Sequence, residues 1–248
     1  MTNDTSLPLS GRVAVVTGAT SGIGAATARR LADDGAAVAV IGRRADRLRE
    51  IPGTLAVPTD VSDPAALERA AETIRAALGP VDLVVANAGA MLAAPYESAS
   101  PGEWDRMLDV NVRGLLWTGR AFATDLIAAA ADGRPADLVH VGSIGAHEVF
   151  PGYALYGATK AAVAHLTRNL RAELGPRGVR VKTIEPGLVA TELGDDMADA
   201  GNREALGEMR AQIGPLPPED VAATIAFAVA LPPRVNVAEL IVLPTAQG

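Results

Sequence analysis

Seven short apolar runs recur along the chain, separated by longer segments rich in Ala, Leu and Arg, and this alternation restricts the fold more than any other feature. The runs are VAVVT (13–17), AVAVI (37–41), TLAV (54–57), DLVVA (82–86), DLVHVG (137–142), VRVKTIE (179–185) and ELIVL (239–243). Strand-length runs alternating with helix-length segments predict βαβ units, whose strands lie parallel. Nearly every run is apolar on both faces, so helices must cover both sides of the sheet. The helices are expected at Gly22–Asp34, Pro64–Leu78, Gly102–Ala131, Tyr153–Leu174 and Pro218–Ala230. A shorter one, in ADRLREIPG, is cut off by Pro52 and Gly53. The fold class expected is therefore α/β, a doubly wound, seven-stranded parallel sheet with helices on both faces.

The longest stretch without strand character runs from Gly187 to Asp220. A doubly wound fold tolerates such an insertion at its rim, beyond the strand C-termini, where ligands bind in this architecture. It is read as a lid, about residues 188–217, helical in part. With 49% hydrophobic residues, 248 residues suffice for one large core. The chain is read as a single domain, 1–248, with a cofactor-binding half at about 11–135 and a catalytic and substrate half at about 136–248.

Composition excludes several classes of function. A net charge of −7 argues against nucleic acid as a partner, because phosphate neutralisation needs a basic surface. The chain has no cysteine, which removes disulfides, thiolate metal sites and cysteine nucleophiles. His140, His147 and His165 offer no paired ligand spacing, so no metal is expected. The N-terminus MTNDTSLPLSGR lacks the basic and apolar regions of a signal peptide, and no apolar run reaches membrane-spanning length. A cytoplasmic protein with no membrane partner is expected.

The first strand leads directly into TGATSGIG, which places Gly18, Gly22 and Gly24 at a strand-to-helix turn. Gly18 permits the tight turn, Gly22 lets backbone amides approach a pyrophosphate, and Gly24 lets the helix pack close to the strand. The helix N-terminus then faces the anion, beside Thr20, Ser21 and Ile23. The spacing is G-x3-G-x-G, and its position at the first strand-to-helix junction makes it a dinucleotide site. After the second strand, where an acidic residue would take the ribose 2′-hydroxyl of NAD, stand Gly42, Arg43 and Arg44. Glycine removes a repelling carboxylate and arginine offers a donor fork for a 2′-phosphate. One charge-assisted hydrogen bond there gives roughly ten- to hundred-fold preference for NADPH over NADH. NADP(H) is the cofactor expected.

The chain has three tyrosines and two lysines, yet GYALYGATK holds two of the tyrosines and one lysine. Positions four apart share a helix face, so Tyr156 and Lys160 point together into one cleft. A neighbouring ammonium favours phenolate and is expected to lower the tyrosine pKa from its usual value of about 10. Tyr156 is thus the candidate general acid or base. Tyr153 is two turns from Lys160 and is read as lining the pocket. Ser143 ends a strand at the C-terminal edge of the sheet, where its hydroxyl can hold a carbonyl against the Tyr156 phenol.

Together these residues resemble the short-chain dehydrogenases/reductases, in their single-domain branch with a Rossmann fold, over essentially the whole chain. TGATSGIG looks like the family's TGxxxGxG loop. Asp60–Val61 is similar to the segment that contacts the adenine. Asn87, Ala88 and Gly89 resemble the end of its NNAG, with Ala86 in place of the first Asn. NVRG (111–114) matches the NxxG motif, Ser143 and YGATK match the Ser and YxxxK, and EPGLVAT (185–191) looks like PGxxxT. The resemblance implies that Tyr156 exchanges the proton, Ser143 orients the oxygen, and Lys160 binds the nicotinamide ribose. It further implies that Asn111 holds a water linking Lys160 to solvent. Pro186, Gly187, Val189 and Thr191 would flank the nicotinamide. Ala86 loses one amide of the family pattern, so a local rearrangement is expected there.

The ending AELIVLPTAQG departs from the VDGG type. With GRR and IEPG, it resembles the NADP-dependent branch that includes clavulanic acid dehydrogenase and serine or 3-hydroxy acid dehydrogenases. The family also implies a homo-oligomer, tetramer or dimer, built through the two long helices at about 102–131 and 153–174.

The activity expected is an NADPH-dependent ketone or aldehyde reductase, reversible toward secondary alcohols, with a small-molecule substrate. Two alternatives stand beside it. A dinucleotide-binding sensor has no need of Asn111, Ser143, Tyr156 and Lys160 together. An enoyl reductase of the same fold resembles a wider Tyr-x6-Lys spacing, which Tyr153 and Lys160 supply, although Ser143 and Tyr156 favour carbonyl chemistry. The substrate wall is expected at Ile144, Val149, Tyr153 and Leu188, with Met91, His147, Phe150, Val189 and the lid as far as Met209 around them. Arg203 and Arg210 are possible anion partners that GDDMAD on the same lid can neutralise.

Overall fold

The computed structural model describes residues 7–247. Seven parallel strands form one sheet in the order β3-β2-β1-β4-β5-β6-β7. They are β1 Val13–Thr17, β2 Ala37–Gly42, β3 Thr54–Pro58, β4 Leu83–Ala86, β5 Asp137–Val141, β6 Arg180–Pro186 and β7 Glu239–Val242. Every residue of β4, β5 and β6 is buried, so neither face of these strands alternates with solvent, and the charged residues among them are paired inside.

The helices are α1 Gly22–Asp33, α2 Ala45–Arg49, α3 Pro64–Leu78, α4 Pro101–Met107, α5 Leu115–Ala131, α6 Ala154–Leu174, α7 Ala200–Ile213 and α8 Pro218–Ala230. Two apolar cores separate them by face. Ala28 and Leu31 of α1 pack with Ile225 and Val229 of α8 on one side. Leu67 and Ile74 of α3, Phe122 and Leu126 of α5 and Leu174 of α6 fill the other.

The strand order reverses between β1 and β4, so a crevice opens beyond their C-terminal ends. At the opposite end, buried charges tie the strand starts together. Asp137 accepts from Arg12 at 2.9 Å, from Arg180 at 2.7 Å and from Lys182, while Arg12 also reaches Asp82 at 2.6 Å. This leaves the C-terminal rim free for ligand.

Two expectations are corrected. The segment 102–131 is not one α-helix: α4 and α5 flank a π-helix, Leu108–Gly114, which holds Asn111. Ala86 brings no rearrangement. It stays in the ladder opposite His140 and packs with Leu115 and Val163. The segment read as a lid is tied at its base, where the Ala190 amide donates to the Leu216 carbonyl at 2.8 Å and the Leu216 amide donates to the Leu188 carbonyl at 2.9 Å. Its α7 starts at Asp199, whose carboxylate accepts from the Asn202 amide at 2.7 Å. Among the described residues, no helix is long and apolar enough to cross a membrane.

Candidate active site

A cleft of about 730 Å3 opens where the strand order reverses. Its floor is the turn from β1 into α1. Gly18 and Gly22 are both left-handed there, with φ of +67° and +52°. A Cβ on Gly18 would stand 2.7 Å from the Ala88 Cα, and one on Gly22 would stand 2.8 Å from the Thr191 methyl. The turn is held from β4: Asn87 Nδ2 donates to the Thr17 carbonyl at 3.0 Å, and Thr17 Oγ1 accepts from the Asn87 amide at 3.0 Å. Thr20, Ser21 and Ile23 line the same cleft, as do Val61, Ala88, Gly89, Pro186, Gly187 and Val189. Gly24 lies behind the wall, against Gly18 and Asn87. Glycines too crowded to carry a side chain, beneath a helix N-terminus, make a cradle that fits a dinucleotide pyrophosphate.

At one end of the cleft Arg44 donates to Thr20 Oγ1 at 2.7 Å and to Ser21 Oγ at 3.0 Å. It also pairs with Glu192, on the segment between β6 and α7, at 2.9 Å, and Arg47 pairs with the same carboxylate at 2.5 Å. Hydrogen bonds from Arg47 and then Arg44 hold the Glu192 carboxyl down at about 2. Arg47 and Glu192 both line the cleft, and sequence reading missed them. Arg47 sits on α2 three residues past Arg44, and Glu192 joins it only through that segment. Burial pushes the Asp60 carboxyl up, but the Ser62 amide and hydroxyl, with Arg43, outweigh it and hold it low.

The other end carries Ser143, Tyr156 and Lys160, all buried. Ser143 leaves β5 and its Oγ accepts from the Gly145 amide at 3.0 Å. A Cβ on Gly145 would be 3.4 Å from both Ser143 Oγ and the Tyr156 ring, so this glycine lets the two approach. Lys160 Nζ donates to the Val141 carbonyl at 3.0 Å and lies 5.8 Å from the Tyr156 ring centroid. A lowered Tyr156 pKa is not what results. Burial raises it, and the hydrogen bond with Ser143 only partly opposes that. Spacing alone predicts the neighbour but not the dry surroundings. Burial also lowers Lys160, to about 8, against the pull of Glu185.

Asn111 does not face the cleft. Its amide donates to the Ala90 carbonyl at 2.9 Å and to Thr159 Oγ1 at 3.1 Å, and its Oδ1 accepts from the Ala90 amide at 2.8 Å. The side chain thus clamps Ala90, beside the Gly89 that lines the cleft.

Ile144, Tyr153 and Leu188 line the cleft, with Met91, Phe150 and Met209. Val149 does not: it is 91% exposed, on the loop after the 3-10 turn Ile144–Ala146. His147 also turns away, toward Glu185 at 2.6 Å. Arg210 is taken by Asp195 at 2.8 Å and by the Thr191 and Leu193 carbonyls, and Arg203 by the Met197 carbonyl.

Known proteins agree with this geometry. Sulfoacetaldehyde reductase 2 of Chromohalobacter salexigens is 36% identical over 244 residues, 95% of each chain. The closed form of serine dehydrogenase complexed with NADP+ superposes with a TM-score of 0.88 and 32% identity, over 95% of this chain and 96% of that one. A 3-ketoacyl-(acyl-carrier-protein) reductase from Brucella melitensis complexed with NADH gives a TM-score of 0.87 and 30% identity, over 97% and 100%. The family model of the short chain dehydrogenases matches residues 12–201. The chain therefore belongs to the short-chain dehydrogenase/reductase family of oxidoreductases.

Proposed function

We propose that the protein is an NADPH-dependent carbonyl reductase, reversible toward secondary alcohols. The observation that carries the reading is the convergence of Ser143, Tyr156 and Lys160 on one wall of the glycine-floored cleft. A nicotinamide dinucleotide bound in this cradle supplies or takes up the hydride. The chain's own residues do the rest. Tyr156 is kept protonated by burial, so it arrives as a proton donor, the form that reduction of a carbonyl requires. Ser143 holds the carbonyl oxygen against that phenol. Lys160 presents a charged donor beside Gly89, where no side chain intervenes. Asn111 fixes the turn on which Gly89 sits.

Arg43, Arg44 and Arg47 hold the 2′-phosphate end, with Asp60 and Val61 along the adenosine and Thr191 with Val189 at the nicotinamide. Ile144, Tyr153 and Leu188 enclose the substrate beneath the lid, about 188–217. Relatives support the class: one is a sulfoacetaldehyde reductase and one a serine dehydrogenase with NADP+. A homo-oligomer is supported by apolar residues left in water on the long helical segment, Leu108 and Leu116, on α8, Phe227, and on the edge strand β7, Ile241. We place the enzyme in the cytoplasm on the same reading. The test is NADPH and NADH oxidation over a panel of ketones, aldehydes and diketones by wild type and Tyr156→Phe. Turnover with NADPH that the mutant loses supports the reading. Binding of NADPH without turnover of any carbonyl favours a sensor instead.

A further inference from the structure

Glu185 is a carboxylate that the roles above leave unused, and it is 1% exposed. It is held on both oxygens. Thr183 Oγ1 donates to Oε1 at 2.9 Å, and His147 Nε2 lies 2.6 Å from Oε2. Register places it under the catalytic helix. His140 of β5 faces α6, because its Nδ1 meets Thr167 Oγ1 at 2.8 Å. Gly142 lies two residues on, along the same face. His140 pairs with Thr183 of β6, so Thr183 and Glu185 share that face too. A Cβ on Gly142 would strike the Glu185 side chain, so the carboxylate occupies the space a larger residue would take. Lys160 Nζ approaches this part of the sheet from α6 and donates to the carbonyl of Val141, the neighbour of Gly142.

We propose that Glu185 is a positioning residue for Lys160: a buried carboxylate, braced by Thr183 and His147, set on β6 beside the strand end where Lys160 docks. Three titratable groups face Lys160. Tyr156 is one turn back on α6 and His140 is on β5, and both are neutral. Burial drives His140 to about 3, helped by Lys160, and burial raises Tyr156. That leaves Glu185 as the carboxylate acting on Lys160 among the described residues, and it opposes the downward push of burial. Glu185 itself faces His147, Lys160 and, more distantly, Arg168 of α6, which is paired with Glu239 at 2.9 Å. The consequence for turnover rests on the proposed reductase activity, but the charge relation does not.

The chain holds just two lysines, Lys160 and Lys182. Lysine labelled at the side-chain carbon and nitrogen therefore gives two NMR titrations, assigned with Lys160→Arg. Glu185→Gln keeps the shape and removes the charge. The Lys160 midpoint is expected to fall by about one pH unit while Lys182 stays put, and the alkaline limb of kcat/KM is expected to fall with it. An unmoved Lys160 midpoint in folded Glu185→Gln overturns the proposal, whatever the turnover. If the midpoint moves but no variant reduces any carbonyl, the charge relation stands and the reductase reading fails. Should Glu185→Gln not fold, Glu185→Asp draws the charge back by one methylene, and a smaller fall of the same sign is expected. No fall, or a rise, overturns the proposal.

Discussion

Replacing Arg44 by Gln tests the proposed preference for NADPH at the arginine that lies against the glycine turn. The guanidinium spans Thr20, Ser21 and Glu192, with bonds of 2.7, 3.0 and 2.9 Å, so its fork is already fixed in the cleft. A charge-assisted bond from such a fork to phosphate contributes about 1.5–3 kcal/mol. The side chain is 42% exposed, and screening by water moves the value to the lower end, about 1.5 kcal/mol. That is a tenfold weaker Kd for NADPH, with NADH, which lacks the 2′-phosphate, unchanged. Isothermal titration of both cofactors against wild type and Arg44→Gln reads this directly. Equal loss for both would mean that Arg44 acts by bracing the glycine turn through Thr20 and Ser21, and no loss for either would refute the cofactor argument. Glu192 supplies the converse. Its carboxyl, held at about 2 by Arg47 and Arg44, is ionised at every working pH and competes with a phosphate for both arginines. Glu192→Gln is therefore expected to tighten NADPH without moving NADH.

Tyr156→Phe is expected to lower kcat/KM by about a hundred- to ten-thousand-fold while the circular dichroism spectrum stays that of wild type. Gly18→Ala puts a Cβ 2.7 Å from the Ala88 backbone at a φ of +67°, so dinucleotide binding by calorimetry is expected to vanish and Tm to fall. Asp137→Asn removes the carboxylate partner of Arg180 and Lys182 and one of the two of Arg12, and urea melts at pH 7 are expected to show a loss of about 3–5 kcal/mol. Burial pushes the Asp137 carboxyl up, but Lys182, Arg180 and Arg12 win and hold it below 3.8. Its contribution is thus complete above the unfolded pKa and lost as pH falls through the folded one, so the wild-type advantage shrinks in acid. Val149→Ala, at a site 91% exposed, is expected to leave KM within twofold.

What the sequence discloses and what it hides divides along the range of the interactions. The glycine turn, the YxxxK pair and the strands are local patterns, and each strand prediction lies within a residue or two of its observed span. The π-helix at Leu108–Gly114 leaves no such trace, because one extra residue per turn barely alters the polar and apolar rhythm of a helix. Val149 and Phe150 form a short apolar pair soon after Ile144. The chain turns outward after the 3-10 turn, and only the three-dimensional path shows the Val149 side chain leaving the cleft. The Tyr156 and Lys160 pKa values are hidden for a different reason. Helical spacing fixes who is near, whereas the sign of each shift depends on how much water the surrounding layers exclude. Glu185 and His147 are furthest from view. They are 38 residues apart and meet only because β5 and β6 pair in the register that sets Thr183 beside His140. The sequence ends a strand at Glu185, before a Pro-Gly turn, but does not say what its side chain meets. In the folded chain, that same register buries it beneath the lysine whose charge it governs.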